Sequence, residues 1–295
     1  MKHKMREDNM KNKLYFGVTF TLLSFFNTFQ ARATLTCNCG IDGHESECCW
    51  EINDGVLTIS AANGATNVTM KDYEWVYSTT SYPEDYVSTA PWAGQNATSL
   101  VVGEGISNIG AYAFIGESKI TNISGMSTVT SIGTSSFNRV SGLSSLTIPD
   151  SVTHIDDAAF FHMTGLTDLT VPDSIEEMVG KRNFAENNGE SNNSIKNLTI
   201  SSDMLAQYLL AQGGFANGAN INCTSGDCAA TLSAWDQKKG TNYSSSVNIS
   251  LKNTDGTTTV YRNGEIIAYK GKRIYTMDEA TLVTGKKNKI MIKYK

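Results

Sequence analysis

A repeat of 23 residues runs through the middle of the chain and leaves it few ways to fold. Ile106, Val129, Val152 and Ile175 stand 23 residues apart, and so do Ile109, Ile132, Ile155 and Met178. Leu100, Ile123, Leu146 and Leu169 keep the same interval, as do Ile120, Leu143 and Leu166. A bulky column of Phe114, Phe137 and Phe160 follows it, with Phe184 late by one residue. One cycle cannot bury its Leu, Ile and Phe by itself. Stacked on its neighbours it can, so these columns require a continuous core built from successive cycles.

Within a cycle the pattern is that of short strands joined by turns. Leu146 and Ile148 alternate with Thr147, which puts the first two inside and Thr147 on the outer face. Pro149-Asp150-Ser151 turns the chain, Val152 to Ile155 extends it again, and Ala159-Phe160 closes the cycle. A period of 23 lies in the leucine-rich-repeat range. The expected fold is therefore mainly β (an α/β repeat), a leucine-rich-repeat solenoid of 23-residue cycles capped at both ends. An altered cycle follows at Ile195, Leu198 and Ile200, with extra residues in the polar stretch 186–194. Asp203 reads as the N-cap of a short helix through Leu210, and Ala219–Cys223 as a last strand.

Alternation also marks a candidate ligand face. If Leu146 and Ile148 face in, Thr147 faces out, and its equivalents are Val101, Ser124, Thr170 and Thr199. Ser99, Asn122, Ser145, Asp168 and Asn197 form a second polar row beside them. Parallel strands at about 4.8 Å spacing would set each group in one row across a single sheet. Hydroxyls and amides with little charge suit a protein or glycan surface better than a nucleic acid.

The N-terminus reads as an export signal. Lys2, Lys4, Arg6, Lys11 and Lys13 precede an uncharged apolar run from Leu14 to Phe29, and Ala31-Arg32-Ala33 offers small residues for cleavage after Ala33. The run is short for a bilayer span of about 20 residues. All six cysteines lie beyond it. Cys37, Cys39, Cys48 and Cys49 crowd the mature start, and Cys223 and Cys228 form a C-x4-C pair. Four cysteines so close could hold zinc, but vicinal Cys48-Cys49 does not fit a zinc knuckle. Disulfides are expected instead, Cys223 with Cys228 and an open pairing within the first cluster.

Four further segments complete the expected organisation. Residues 34–94 form an N-terminal disulfide-containing cap, in which Gly55 to Ser60 resembles a repeat strand. Its aromatic residues Tyr73, Trp75, Tyr77, Tyr82, Tyr86 and Trp92 cover the end of the core, with a carbohydrate-stacking platform as the other reading. Residues 95–228 are the repeats with a C-terminal cap, and 229–250 a linker with a strand at Val247 to Leu251 at its end. Residues 251–295 form a small basic α+β module, with a hairpin around Asn263-Gly264, a helix at 278–283 and a final strand at 289–294. That module holds ten Lys or Arg against four acids. The body from 34 to 250 is strongly acidic, the reverse of a nucleic-acid-binding profile.

With these residues in hand, the chain resembles the BspA-like leucine-rich-repeat family of bacterial surface proteins. The resemblance rests on C-W-E-I-N-D-G-V-L-T-I-S ending at Ser60, on Pro91-Trp92, and on V-T-H-I-D-D-A-A-F at 152–160. That phrase recurs as I-S-N-I-G-A-Y-A-F at 106–114, and the I-P-D-S and V-P-D-S turns are also similar to the family. The cycle at 117–139 departs from the pattern by lacking the I-P-D-S turn. The resemblance implies surface exposure and adhesion to host or extracellular-matrix proteins. It implies no shared catalytic residues and no cofactor.

No chemistry-bearing motif competes with a binding role. The chain has no G-x-S-x-G elbow, H-E-x-x-H helix, P-loop or dinucleotide fingerprint. His154 replaces Asn108, Ser131 and Glu177 of other cycles and reads as exposed, and Asp156-Asp157 point apart on an extended segment. The leading expectation is a secreted or cell-surface, non-enzymatic binder of host or extracellular protein or glycan. A structural envelope component held by the basic tail is the second reading, and a glycan-acting hydrolase a distant third.

Overall fold

The computed structural model describes residues 35–78, 85–180, 182–184, 194–216, 218–241, 247–252, 257–262, 265–269, 272–273, 280–285 and 289–294. The export segment and most of the polar 186–194 stretch lie outside the described residues. Short strands linked by turns dominate, because each cycle offers only two or three alternating residues before a Gly, Pro or polar turn.

The apolar columns coincide with the strand registers. Asn108–Ser131–His154–Glu177 and Ile109–Ile132–Ile155–Met178 pair side by side in one parallel sheet, which Val68–Thr69 extends at its edge. Another sheet pairs Leu146–Leu169–Leu198–Ile221–Ile249 in parallel, with these side chains buried. A third begins with the antiparallel strands Thr36–Cys37, Cys48–Asn53 and Val56–Ala61. It then turns parallel, with Leu57 beside Leu100 and Leu100 beside Ile123. A residue and its repeat equivalent are thus lateral neighbours, so one apolar choice per column serves the whole core.

The third side of each cycle is a tight turn rather than a strand. The amides of Tyr112, Phe114 and Gly116 donate to the carbonyls of Thr134, Ser136 and Asn138, and those of Ser135, Phe137 and Arg139 to Asp157, Ala159 and Phe161. The turns need left-handed backbone at Tyr112, Ser135 and Ala158, and again at Gly116, Arg139 and His162. Glycine is obligatory only at 116, where a Cβ would lie 1.9 Å from the Tyr86 carbonyl oxygen.

The turns carry the phenylalanines inward. Phe114, Phe137, Phe160 and Phe184 stack with centroids 5.3, 5.7 and 5.5 Å apart. The column runs further than the phenylalanines. Trp92 stacks on Phe114 at 5.7 Å and Tyr208 packs on Phe184 at 5.0 Å, and each satisfies its polar end on a carbonyl, Trp92 Nε1 on Ala113 and Tyr208 OH on Gly214. Where the column slips by one residue, the fully buried Asn183 bridges the mismatch. Its Oδ1 accepts from the Ala159 amide at 2.9 Å, and its Nδ2 donates to the Val179 carbonyl at 2.8 Å.

Three disulfides form, Cys37–Cys49, Cys39–Cys48 and Cys223–Cys228. Consecutive residues of a strand project to opposite faces, so the vicinal Cys48 and Cys49 reach different partners. Helix α1, Ser202–Leu210, is capped by the Ser201 hydroxyl, which accepts from the Met204 amide, and not by Asp203 as expected; Asp203 sits in the first turn. Asn220–Cys223 forms the expected strand.

Two expectations fail beyond it. Residues 229–250 are no linker. Cys228–Lys239 is helix α2, begun by the Asp227 carboxylate on the Ala230 amide and ended at left-handed Gly240. Asn248–Lys252 then pairs with Asn220–Cys223, and antiparallel strands Thr258–Arg262, Glu265–Tyr269 and Lys272–Arg273 continue the same sheet. The helix expected at 278–283 is instead a strand, Ala280–Gly285, hydrogen-bonded to Lys289–Tyr294. β-branched Thr281, Val283 and Thr284 favour the extended state, and the alternating partner strand supplies the hydrogen bonds.

The aromatic N-terminal stretch divides in two. Tyr73 and Trp92 are buried in the core, while Trp75 and Tyr77 stand exposed on a hairpin of Trp75–Ser78 and Asp85–Ser88. Tyr82 lies outside the described residues. Among the described residues no helix is long and apolar enough to cross a membrane.

Candidate functional site

The expected outer face exists, but as two groups of strands and not one row. Ser99 and Val101 lie beside Asn122 and Ser124. Ser145 and Thr147 lie beside Asp168 and Thr170, which lie beside Asn197 and Thr199. Asn122–Gly125 and Ser145–Thr147 belong to different sheets. The cycle lacking the Pro-Asp-Ser turn is where the row breaks. There Gly125 and Met126 both adopt positive φ, and Asn122–Gly125 does not pair with Ser145–Thr147.

Each group gains members that the columns did not mark. Val56 and Thr58 flank Ser99 and Val101. On the other side, Asn220 and Asn222 follow Asn197 and Thr199, and Asn248 and Ser250 follow them. Their inward partners Leu198, Ile221 and Ile249 are buried, so alternation alone sends these polar side chains outward. The signal was present in the strand 220–223 and in the strand expected at Val247 to Leu251, which forms as Asn248–Lys252, but the sequence did not say that the latter joins this sheet.

The second polar row is internally bonded. Asn248 Nδ2 donates to Asn220 Oδ1 at 3.3 Å, Asn220 Nδ2 to Asn197 Oδ1 at 3.1 Å, and Asn197 Nδ2 to Asp168 Oδ1 at 2.7 Å. The amides therefore point the same way and end on a carboxylate. The Thr167 hydroxyl donates to the other carboxylate oxygen at 2.6 Å, and these hydrogen bonds, Thr167 first and then Asn197, hold the Asp168 carboxyl below the usual range. Asp168 is the only charged side chain among the ten positions of the expected face. Such a surface offers oriented donors and acceptors without a strong field.

The opposite sheet carries its own polar row. His154 is half-buried there, bridged to Asp156 at 3.2 Å and Glu177 at 3.3 Å, where the sequence reading has it exposed. Asp157 turns the other way to Arg182 at 2.9 Å, so the two neighbouring carboxylates do point apart. Among the described residues no three His, Cys, Asp or Glu side chains gather as a metal site would require.

Comparison with known proteins agrees with this geometry. Residues 87–209 match the model of the BspA type leucine rich repeat region in six copies. The strand pairings at one-cycle spacing and this match together define a leucine-rich-repeat protein. Its repeats are similar to the BspA type over residues 87–209. Solved structures similar to the chain include a leucine-rich repeat protein from Eubacterium ventriosum, at 20% identity over 66% of this chain and 45% of that one, TM-score 0.40. Another, from Bacteroides ovatus, shows 20% identity over 41% and 30% with TM-score 0.33. A leucine rich cell surface protein from Faecalibacterium prausnitzii shows 16% identity over 77% and 58% with TM-score 0.34. The chain thus spans 30% and 45% of the lengths of the first two. No curated relative matches by sequence.

Proposed function

We propose that the protein is an exported, non-catalytic binder that presents the outer polar rows of its repeats to a protein or glycan outside the cell. The repeats act as a capped solenoid of 23-residue cycles, and residues 1–33 direct export. The observation that carries this reading is the alignment of Thr147, Thr170, Thr199, Asn222 and Ser250 across five parallel strands, beside the oriented amides of Asn197, Asn220 and Asn248. Fixed donors and acceptors on a stiff sheet lose little entropy on binding, which favours recognition over chemistry. The three disulfides fit an oxidising location.

The test is capture of the mature protein on immobilised extracellular-matrix proteins and on host cells. A folded Thr147→Arg, Thr170→Glu double variant should lose capture with its melting temperature nearly unchanged. Wild-type capture by that variant would place the contact elsewhere. A second reading, an envelope component held by the basic tail, is favoured by the excess of Lys and Arg in 251–295. Deleting the tail distinguishes the two, since an adhesin should keep its ligand without it.

A further inference from the structure

The hairpin of Trp75–Ser78 and Asp85–Ser88 holds an aromatic cluster that the core does not use. Tyr77 pairs with Tyr86 across the hairpin, and alternation puts Trp75 on the same face. The Tyr86 ring meets Trp75 edge to face at 4.7 Å and Tyr77 at 5.6 Å. Trp75 is 45% exposed and Tyr77 51%, although large aromatic side chains are the ones a fold gains most from burying. Val76, on the other face, is equally exposed at 51%. Exposed apolar clusters of this kind mark contact sites more often than single exposed residues do.

Charge says what the cluster would accept. Between Lys71 and Lys119 the chain has no Lys, Arg or His, while Asp72, Glu74, Glu84, Asp85, Glu104 and Glu117 fall within that stretch. The hairpin therefore belongs to a stretch of sequence with acids and no bases. One cation already uses it: the Arg139 guanidinium, from the following cycle, lies over the Tyr86 ring at 4.8 Å from its centroid. Ring faces attract cations through their quadrupole, and neighbouring carboxylates add attraction of the same sense.

We propose that the Trp75–Tyr77–Tyr86 face docks an arginine-bearing, cationic segment of a partner protein, a contact separate from the outer rows of the repeats. A guanidinium stacks on exposed Trp75 or Tyr77 as Arg139 stacks on Tyr86. An anionic membrane or polyanion is the wrong partner for this surface.

The probe is a labelled nona-arginine peptide, titrated into the mature full chain at two salt concentrations. The acidic body attracts any polycation, so the informative variant removes rings and leaves charge unchanged. Trp75→Ala, Tyr77→Ala should weaken binding about tenfold at both salts, since two stacking contacts are lost. Thr147→Arg, Thr170→Glu should leave this ring-dependent step intact. Unfolding of the double variant would show in its circular dichroism, in which case Trp75→Leu alone serves, with a loss of about threefold. Equal binding by wild type and the ring variants would overturn the proposal. So would Trp75-dependent binding of a neutral oligosaccharide with no ring dependence for nona-arginine.

Discussion

Removing one ring from the stacked column tests the core directly. Phe137 is almost fully buried and stacked on both sides, 5.3 Å from Phe114 and 5.7 Å from Phe160. Phe137→Ala leaves a hole between two rings held in place by their own turns, so the site cannot collapse. That places the loss at the upper end of the range for such substitutions, about 4–5 kcal/mol. Phe137→Leu, which keeps most of the volume, should cost about 1–2 kcal/mol. Urea unfolding of the oxidised protein, followed by fluorescence and circular dichroism, reads the difference. With a slope of about 2 kcal/mol/M, Phe137→Ala should lower the midpoint by roughly 2 M. Phe114→Ala should cost as much. Position in the sequence suggests a milder loss near the cap, but Trp92 covers the free face of Phe114 and makes it an interior member of the column. A midpoint displaced by less than about 0.5 M at unchanged slope would refute the assignment of this column as the centre of the core.

Asn183→Leu keeps the volume of the bridging side chain and removes its polarity. It should cost about 1–3 kcal/mol, measured by the same unfolding curves, because the Val179 carbonyl loses its Nδ2 donor and the Ala159 amide keeps only a longer contact to Asp156. Burial raises the Glu117 carboxyl above its ordinary value, against the lowering effects of the Gly94 amide on its Oε1 and of Lys119. Because the folded state binds this proton more tightly than the unfolded chain, the group favours folding at acid pH, and that contribution is lost as pH rises through the raised value. Glu117→Gln, which still accepts from Gly94, should therefore be more stable than wild type at pH 8, with the gap closing toward pH 4 in thermal melts. A gap independent of pH would mean that Glu117 is not the titrating group.

The columns were readable because stacking repeats the same demand at every cycle. Leu146, Leu169 and Leu198 occupy equivalent places, so a single interval exposes them all. The ends of the aromatic column escaped that test because both chemistry and interval change. Trp92 and Tyr208 replace phenylalanine where a polar handle can reach a carbonyl, at spacings that no longer equal one cycle. Helix α2 has almost no apolar stripe, since of its residues only Cys228 and Leu232 are fully buried. Its only sequence marks were Asp227 before it and Gly240 after it. Of the candidate face, outward direction followed from alternation, but continuity did not. Continuity depends on backbone conformation at Gly125 and Met126, which no hydrophobic pattern encodes. The amide chain from Asn248 to Asp168 needed the register of a strand whose existence, but not whose partner, was legible.

Asn183 also bears on how such a chain can change length. A repeat array ordinarily resists insertion, because an added residue shifts every later side chain out of its column. Here the Asn183 side chain ties the Ala159 amide of one turn to the Val179 carbonyl of the next, and the next aromatic residue still lands on the stack. Five more extra residues precede Ile195 just after this splice, and the strand at Asn197–Ile200 resumes full register with Asp168–Thr170. The position is thus a joint at which sequence can be added without disturbing either side. Added sequence between Phe184 and Ser194 would leave the stack before it and the strand register after it in place, so new binding specificities can arise there while the core stays unchanged.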